Sequence, residues 1–213
     1  MVFFTVRSLI LYIYLCGRYK NYLSKTIMSG LKLFTFYLSS TAWRARIALC
    51  LKQLKAEPVY IDLFKGDQRT EQYKKVNPNA GVPSLILPNG TTLVESLAII
   101  EYLNEKYPTP NNLYPGDVEN RAKIRGFCEV INSSIHPYQN LKLINRLADE
   151  NGVDKVKWIT GQVSTGANTI EKLLQNYSSP NYKYCFGNEV TAADILFYPQ
   201  IFATKNRWKV DTS

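Results

Sequence analysis

The hydrophobic and polar positions of the chain change their period several times between residues 33 and 112. An apolar, aromatic run over 33–37 predicts a strand, and apolar residues at helical spacing over 43–54 predict a helix. Alternating positions over 59–63 predict a second strand. The region therefore begins with a predicted β-α-β unit, whose parallel strands require a right-handed crossover.

A hairpin and a further helix complete this region. Apolar segments over 82–87 and 91–94 flank a Pro-Asn-Gly sequence at 88–90, which is typical of a β-hairpin. A helical pattern follows over 97–106. This order of elements is that of a thioredoxin-like domain, which we expect to occupy residues 31–112.

The rest of the chain shows only helical spacing. After a linker at 113–118, residues 119–213 contain apolar positions at helical intervals and no strand alternation. Thr191 and Asp194 form a capping signal before another apolar run. We therefore predict an α/β thioredoxin-like N-terminal domain followed by an all-α C-terminal domain.

Residues 1–30 form an apolar and basic extension that we expect to lie outside the fold. Residues 2–16 are almost wholly apolar, but they are too short for a membrane span and lack the basic leading region of a signal peptide. Met28 stands just before the first strand and is an alternative start of translation. We expect no membrane partner; a membrane-anchored form is an alternative that rests on residues 2–16 alone.

Composition and charge exclude several classes of function. The chain has 213 residues and a net charge of +9, but its 26 basic residues are scattered among 17 acidic ones, which argues against nucleic-acid binding. Its four cysteines form no C-x-x-C pair, and His136 is its only histidine, so we predict no metal site. This use of cysteine favours a cytoplasmic location.

The hydroxyl cluster Ser39-Ser40-Thr41 is the first candidate for chemistry. It precedes the first predicted helix, where hydroxyls, unpaired backbone amides and the helix dipole together stabilise an anion. A thiol bound there would lose its proton more easily, as cysteines at helix N-termini do. The alternative is that one of these residues is simply the N-cap of the helix.

Two further segments suggest a ligand with a peptide backbone. Val82 stands before Pro83, and if that bond is cis, we expect the N–H and C=O of Val82 to be unpaired and able to pair with an extended peptide. Glu95 and Ser96 begin another helix and could hold an α-amino group and an α-carboxylate. Together with the hydroxyl cluster, they predict a site for a small thiol peptide.

The motifs of the chain are similar to those of a known family. The segment Ser39-Ser40-Thr41-Ala42-Trp43-Arg44-Ala45-Arg46-Ile47-Ala48-Leu49 resembles the S-S-C-x-W-R-x-R-I-A-L signature of zeta-class glutathione transferases, also called maleylacetoacetate isomerases. The likeness continues at Asn77-Pro78, Val82-Pro83, 95–103, 137–141 and 187–194. The resemblance implies a homodimer that uses glutathione to isomerise maleylacetoacetate to fumarylacetoacetate in tyrosine and phenylalanine breakdown.

The resemblance also implies roles for individual residues. Ser39, Ser40 and Thr41 would be the catalytic group, with Ser39 donating a hydrogen bond to the glutathione thiolate. The implied cofactor-binding residues are Ser39, Ser40, Arg44, Gln68, Val82, Glu95, Ser96, His136, Gln139 and Asn140. Arg44 and Arg207 would bind substrate carboxylates, a role that suits the bidentate guanidinium.

Departures from the family pattern leave other functions open. Thr41 replaces a cysteine, His136 replaces a glutamine, and the chain ends at Ser213, whereas the family continues with further helices, so we expect an incomplete helical domain. The alternatives are a general glutathione transferase, a dehalogenase acting on α-haloacids, or a truncated module that binds glutathione without turnover.

Overall fold

Residues 27–208 are described by a computed structural model, and their contacts divide the chain into one unit up to Asn112 and a second unit from Leu113. The predicted apolar segment 2–16 lies outside the described residues. Within the described part, no helix combines the length and the apolar composition that crossing a membrane requires. The same residues contain no cluster of His, Cys, Asp and Glu suited to a metal ion.

The first unit is a four-stranded mixed sheet with helices, in the thioredoxin-like order that the sequence predicts. The strand order is β2-β1-β3-β4, with β1 and β2 parallel and β3 antiparallel to both of its neighbours. The elements are β1 (Ile27–Thr35), α1 (Ser40–Leu51), β2 (Leu54–Tyr60), a 3-10 turn (Asp67–Arg69), α2 (Glu71–Lys74), β3 (Ser84–Ile86), β4 (Thr92–Val94) and α3 (Ser96–Lys106).

The register of the sheet brings the candidate segments to one edge. Phe34 near the end of β1 pairs with Ser84 at the start of β3, and Ser84 pairs with Val94 at the end of β4. Phe34 also pairs with Val59 near the end of β2. The loops that follow β1, β2 and β4 and the loop that precedes β3 therefore share one edge of the sheet, called the loop edge below.

Two boundaries differ from the sequence prediction. The extension over 1–30 was expected to lie outside the fold, but β1 begins at Ile27, which pairs with Leu54. Strand β2 ends at Tyr60 and not at residue 63. In this edge strand the alternating buried residues are Leu54 and Ala56, whereas Tyr60 is exposed. The strand therefore begins and ends earlier than the apolar pattern over 59–63 predicts.

The second unit is built from helices over its described residues, as predicted, with one isolated β-bridge between Tyr184 and Gly187 in the loop before the last helix. Its helices are α4 (Val118–Ser134), α5 (Leu141–Asn151), α6 (Lys155–Tyr177) and α7 (Ala192–Trp208), with a 3-10 turn at His136–Gln139. The predicted linker 113–118 is partly wrong, because Leu113 and Tyr114 are buried and the Leu113 carbonyl accepts a hydrogen bond from the Ala192 N–H at 2.9 Å. These apolar side chains belong to the core of the second unit.

The predicted capping signal before α7 is confirmed. Asp194 is buried, and one of its carboxylate oxygens accepts from both the N–H and the hydroxyl of Thr191 at 2.8 Å. Its other oxygen accepts from the Cys185 N–H at 2.9 Å. Burial raises the pKa of the Asp194 carboxyl, although these hydrogen bonds act in the opposite direction. The cap therefore ties the start of α7 to the loop before it.

A buried lysine joins the end of α1 to the end of the first unit. Lys52 is only 2% exposed, and its Nζ donates to the Asn104 side-chain oxygen at 2.9 Å and to the Asn111 carbonyl. The Asn111 side chain in turn donates to the Leu51 carbonyl at 2.6 Å. Desolvation lowers the pKa of Lys52 to about 8.

We expect Lys52→Met to lower the free energy of unfolding by about 2–4 kcal/mol, because the partly buried oxygens of Asn104 and Asn111 lose this donor. The folded-state pKa of Lys52 lies below its ordinary value of 10.5. Between about pH 8 and 10.5 the unfolded chain therefore binds more protons at Lys52 than the folded chain does. The contribution of Lys52 to the free energy of unfolding rises with pH over this range.

Urea unfolding at several pH values tests this expectation. The exposed Lys106 of α3 gives a matched control, Lys106→Met, for which we expect little change in stability. Equal pH dependence in the Lys52→Met variant and the wild type would contradict the assignment.

Candidate functional site

Ser39 begins helix α1 at the loop edge. Its Oγ accepts a hydrogen bond from the Ala42 N–H at 3.1 Å, so Ser39 is the N-cap, and its own N–H donates to the Phe36 carbonyl at 3.1 Å. The N–H groups of Ser40 and Thr41 have no partner within residues 27–208. Both readings from the sequence thus apply, since the capped end also offers free donors to an anion.

Arg46 holds the loop that leads into this helix. Its guanidinium donates to the Thr35 hydroxyl at 2.6 Å and to the carbonyls of Phe36 and Tyr37 at 3.2 and 3.4 Å. The sequence pattern did not single out Arg46 for this role. The available signal was its place two helical turns after Ser39, which puts it on the same face of α1.

The bond between Val82 and Pro83 is cis, and the loop that contains it is held by buried polar groups. The Tyr73 hydroxyl donates to the Gly81 carbonyl at 2.6 Å, and the Asn77 amide donates to the same carbonyl at 2.9 Å. Both side chains also lie 3.1 Å from the Ser84 hydroxyl. This network fixes the backbone just before Val82.

One expectation about Val82 is wrong. Its carbonyl was expected to be unpaired, but it accepts a hydrogen bond from the Thr41 hydroxyl at 2.9 Å. The N–H of Val82 has no partner among the described residues. The Thr41 and Ser39 hydroxyl oxygens are also 2.9 Å apart. A chain of hydrogen bonds therefore links Ser39, Thr41 and Val82.

Glu95 and Ser96 lie beside the Val82 loop, because Val94 pairs with Ser84 across β3 and β4. Glu95 has a φ of 67°, which is uncommon for a residue other than glycine. Its side chain is exposed and accepts from the Asn79 amide at 3.1 Å. Ser96 is buried as the first residue of α3. The structure thus offers a carboxylate and a helix N-terminus side by side.

Gln68 lies in the 3-10 turn that follows β2, at the same edge. Its amide nitrogen donates a long hydrogen bond, 3.4 Å, to the Leu63 carbonyl. Its amide oxygen is shielded from solvent and has no partner in the described part of the chain. Gln68 therefore has an acceptor available for a ligand.

The burial of Arg44 argues against its predicted contact with a substrate carboxylate. Arg44 lies in α1 with an exposed fraction of 0%, so a ligand has no surface of this side chain to reach. Because a guanidinium keeps its charge, it is buried only where other groups of the protein compensate that charge. Arg44 is thus a residue of the interior of the first unit, although its position in the motif suggested a ligand contact.

His136 and Gln139 bond to helix α7 within the second unit. The His136 Nδ1 lies 3.1 Å from the Gln200 side-chain oxygen. The buried Gln139 amide donates to the Thr204 hydroxyl at 2.9 Å. These contacts attach the 3-10 turn to α7, and the implied roles of both residues in cofactor binding stay predictions.

Asn140 and Arg207 lie at the ends of two different helices of the second unit. Asn140 is the exposed N-cap of α5, and its side chain accepts from the Lys142 N–H at 2.9 Å. Arg207 lies in the last turn of α7 and is exposed. Exposure of Arg207 is compatible with carboxylate binding, which stays a prediction for this residue.

The chain is similar in sequence to known proteins. Residues 33–111 match the family model for the glutathione S-transferase N-terminal domain. The chain is 42% identical over 183 residues to the maleylacetoacetate isomerase of Mus musculus, covering 85% of this chain and 81% of that protein.

Solved structures show the same likeness. A holo structure of a maleyl pyruvate isomerase, a bacterial zeta-class glutathione S-transferase, matches with a TM-score of 0.79 and 33% identity over 85% of each chain. The maleylacetoacetate isomerase of Anaeromyxobacter dehalogenans, with dicarboxyethyl glutathione and citrate in its active site, matches with a TM-score of 0.74 and 30% identity. That match covers 86% of this chain and 84% of the other.

We expect Tyr73→Phe to reduce the free energy of unfolding by about 1–2 kcal/mol, because the Gly81 carbonyl and the Ser84 hydroxyl lose a buried partner. Thermal or urea unfolding measures the change. Tyr60→Phe is the matched control, since Tyr60 is 73% exposed and its change should have little effect. Equal stability of the two variants would show that the network does not hold the Val82 loop.

Proposed function

This chain belongs to the zeta class of the glutathione transferases, and on that basis we propose that it catalyses the glutathione-dependent cis-trans isomerisation of maleylacetoacetate to fumarylacetoacetate. The observation that carries the proposal is the hydrogen-bonded chain from Ser39 through Thr41 to Val82 at the loop edge. It joins a site for an anion directly to a backbone segment suited to an extended peptide.

The groups at the loop edge fit the parts of glutathione. Its cysteinyl backbone can pair with the Val82 N–H, which has no partner among the described residues. Its γ-glutamyl end carries an ammonium and a carboxylate, for which Glu95 and the helix start at Ser96 offer opposite partners. Gln68 is the proposed contact for the glycine end, because its available amide oxygen can accept a hydrogen bond from the N–H of the glycine residue.

The chain's own contribution to the reaction is to hold a negative sulfur. When bound, glutathione supplies the nucleophilic thiolate, which adds reversibly to the conjugated double bond and leaves unchanged after rotation about that bond. The hydroxyl of Ser39 and the free amides of Ser40 and Thr41 can donate hydrogen bonds to this charge. A hydrogen bond to a charged group contributes about 1.5–3 kcal/mol, and the dipole of α1 acts in the same direction.

A dicarboxylate is the substrate class we propose. The relative from Anaeromyxobacter dehalogenans holds a dicarboxyethyl derivative of glutathione, which is the product expected when a thiol adds to an unsaturated dicarboxylate. Arg207, exposed at the end of α7, is the proposed partner of a substrate carboxylate. Assembly as a homodimer, a cytoplasmic location and a role in tyrosine and phenylalanine breakdown are part of the same proposal and rest on the family resemblance.

Isomerisation of maleylacetone, a simpler analogue of the substrate, tests the proposal on the full chain. Turnover that requires glutathione is the expected result. A folded protein that binds immobilised glutathione but turns over neither maleylacetone nor dichloroacetate would be a binding module and would contradict the proposal. Turnover of dichloroacetate alone would favour the dehalogenase.

We expect Ser39→Ala to raise the pKa of the bound glutathione thiol by about 1–2, because the thiolate loses a hydrogen-bond donor. The value of kcat/KM at neutral pH should fall about 10- to 100-fold. Titration of the thiolate absorbance measures the pKa. Ser164→Ala is the matched control, since Ser164 is exposed in α6 and bonds only within that helix. An unchanged titration in Ser39→Ala would remove Ser39 from the proposed role.

A further inference from the structure

We propose that Thr41 is a positioning residue that draws the hydroxyl hydrogen of Ser39 away from the ligand and thereby raises the pKa of the bound thiol. The inference deepens the proposed function and rests on glutathione binding at the loop edge. It follows from counting the hydrogens of the two hydroxyl groups.

The direction of the bonds is fixed at the Val82 end. The Val82 carbonyl can only accept, so the hydrogen in its 2.9 Å contact with Thr41 is the one that Thr41 carries. A threonine hydroxyl has a single hydrogen. In the 2.9 Å contact between the two side chains, Thr41 is therefore the acceptor and Ser39 is the donor.

The hydrogen of Ser39 is consequently already in use. Its oxygen also accepts from the Ala42 N–H at 3.1 Å, so one hydroxyl makes two bonds within the protein. A thiolate can only accept hydrogen bonds, and Ser39 can donate to it only by turning away from Thr41. The bond between Ser39 and Thr41 thus competes with the bond to the sulfur.

The competition has a definite size. A bond between two neutral groups contributes less than a bond to a charged group, so the thiolate wins, but it gains less than it would with a free hydroxyl. The loss of the competing acceptor should lower the thiol pKa by about 0.5–1. Among the other charged groups at this edge, Arg46 donates to Thr35, Phe36 and Tyr37, and Glu95 accepts from Asn79. The loop after β2 adds Asp62, Lys65, Asp67 and Arg69, of which Lys65 pairs with Asp62 and Asp67 accepts from the Asp62 N–H. Changes at Thr41 leave them in place.

Thr41→Val tests the inference, because valine has nearly the shape of threonine but no hydroxyl. We expect the thiol of glutathione bound to this variant to titrate at a pKa lower by about 0.5–1. At pH values well below the pKa, kcat should rise about three- to tenfold. Thr41→Ser restores the competing hydroxyl and should return the pKa to the wild-type value.

The KM for glutathione separates this role from a purely structural one. Loss of the Thr41 bond to Val82 alone would loosen the loop and raise the KM without lowering the thiol pKa. Thr165→Val, at an exposed position of α6, is a control that should change neither quantity.

The outcomes distinguish the inference from the proposed function. If the wild-type chain binds no glutathione, both are overturned. If it binds glutathione and Thr41→Val has an unchanged or higher thiol pKa, the inference alone is overturned. If Thr41→Val does not fold, Thr41→Ala provides the same loss of the hydroxyl, and a thiol pKa at or above the wild-type value in that variant also overturns the inference.

Discussion

The short strand β3 is the constraint on which the candidate site depends. It has only three residues, yet it pairs with β1 on one side and β4 on the other, and it is antiparallel to both. This direction places its first residue beside the last residues of its neighbours. If β3 ran parallel to them, Val82 would lie at the opposite edge from Ser39 and Glu95.

The start of β3 is in turn held by polar groups in the interior. Tyr73 and Asn77 come from α2 and the loop after it, and both bond to Gly81 and Ser84. Buried polar groups are costly unless each finds a partner, so a satisfied network of this kind permits few other arrangements. Burial also raises the pKa of the Tyr73 hydroxyl, which keeps it as a donor over the physiological range.

Much of the fold could be predicted from the sequence because it follows from local signals. The periods of the strands and helices, the hydroxyl cap at Ser39 and the Thr191 signal before α7 each depend on residues close together in the chain. The motifs also pointed to the segments around Ser39, Val82 and Glu95, which the sheet register brings to the loop edge, while the roles of these residues stay predictions.

What could not be predicted depends on contacts between distant segments. The partner of the Val82 carbonyl is 41 positions away at Thr41, and no local rule relates the two. Arg44 is a residue type that often binds carboxylates, and only the packing of α1 shows that its side chain is buried. The start of β1 at Ile27 likewise depends on pairing with Leu54 rather than on its own sequence.

Lys52 has a practical consequence for work on the first unit alone. Its buried ammonium group is held by the carbonyl of Asn111, one residue before the unit ends. A shortened chain that stops before Asn111 would remove the carbonyl that accepts from Lys52. It would also remove the side chain that donates to the Leu51 carbonyl. An isolated thioredoxin-like domain should therefore be expressed with a C-terminal boundary beyond Asn112, so that Asn111 keeps its contacts with the end of helix α1.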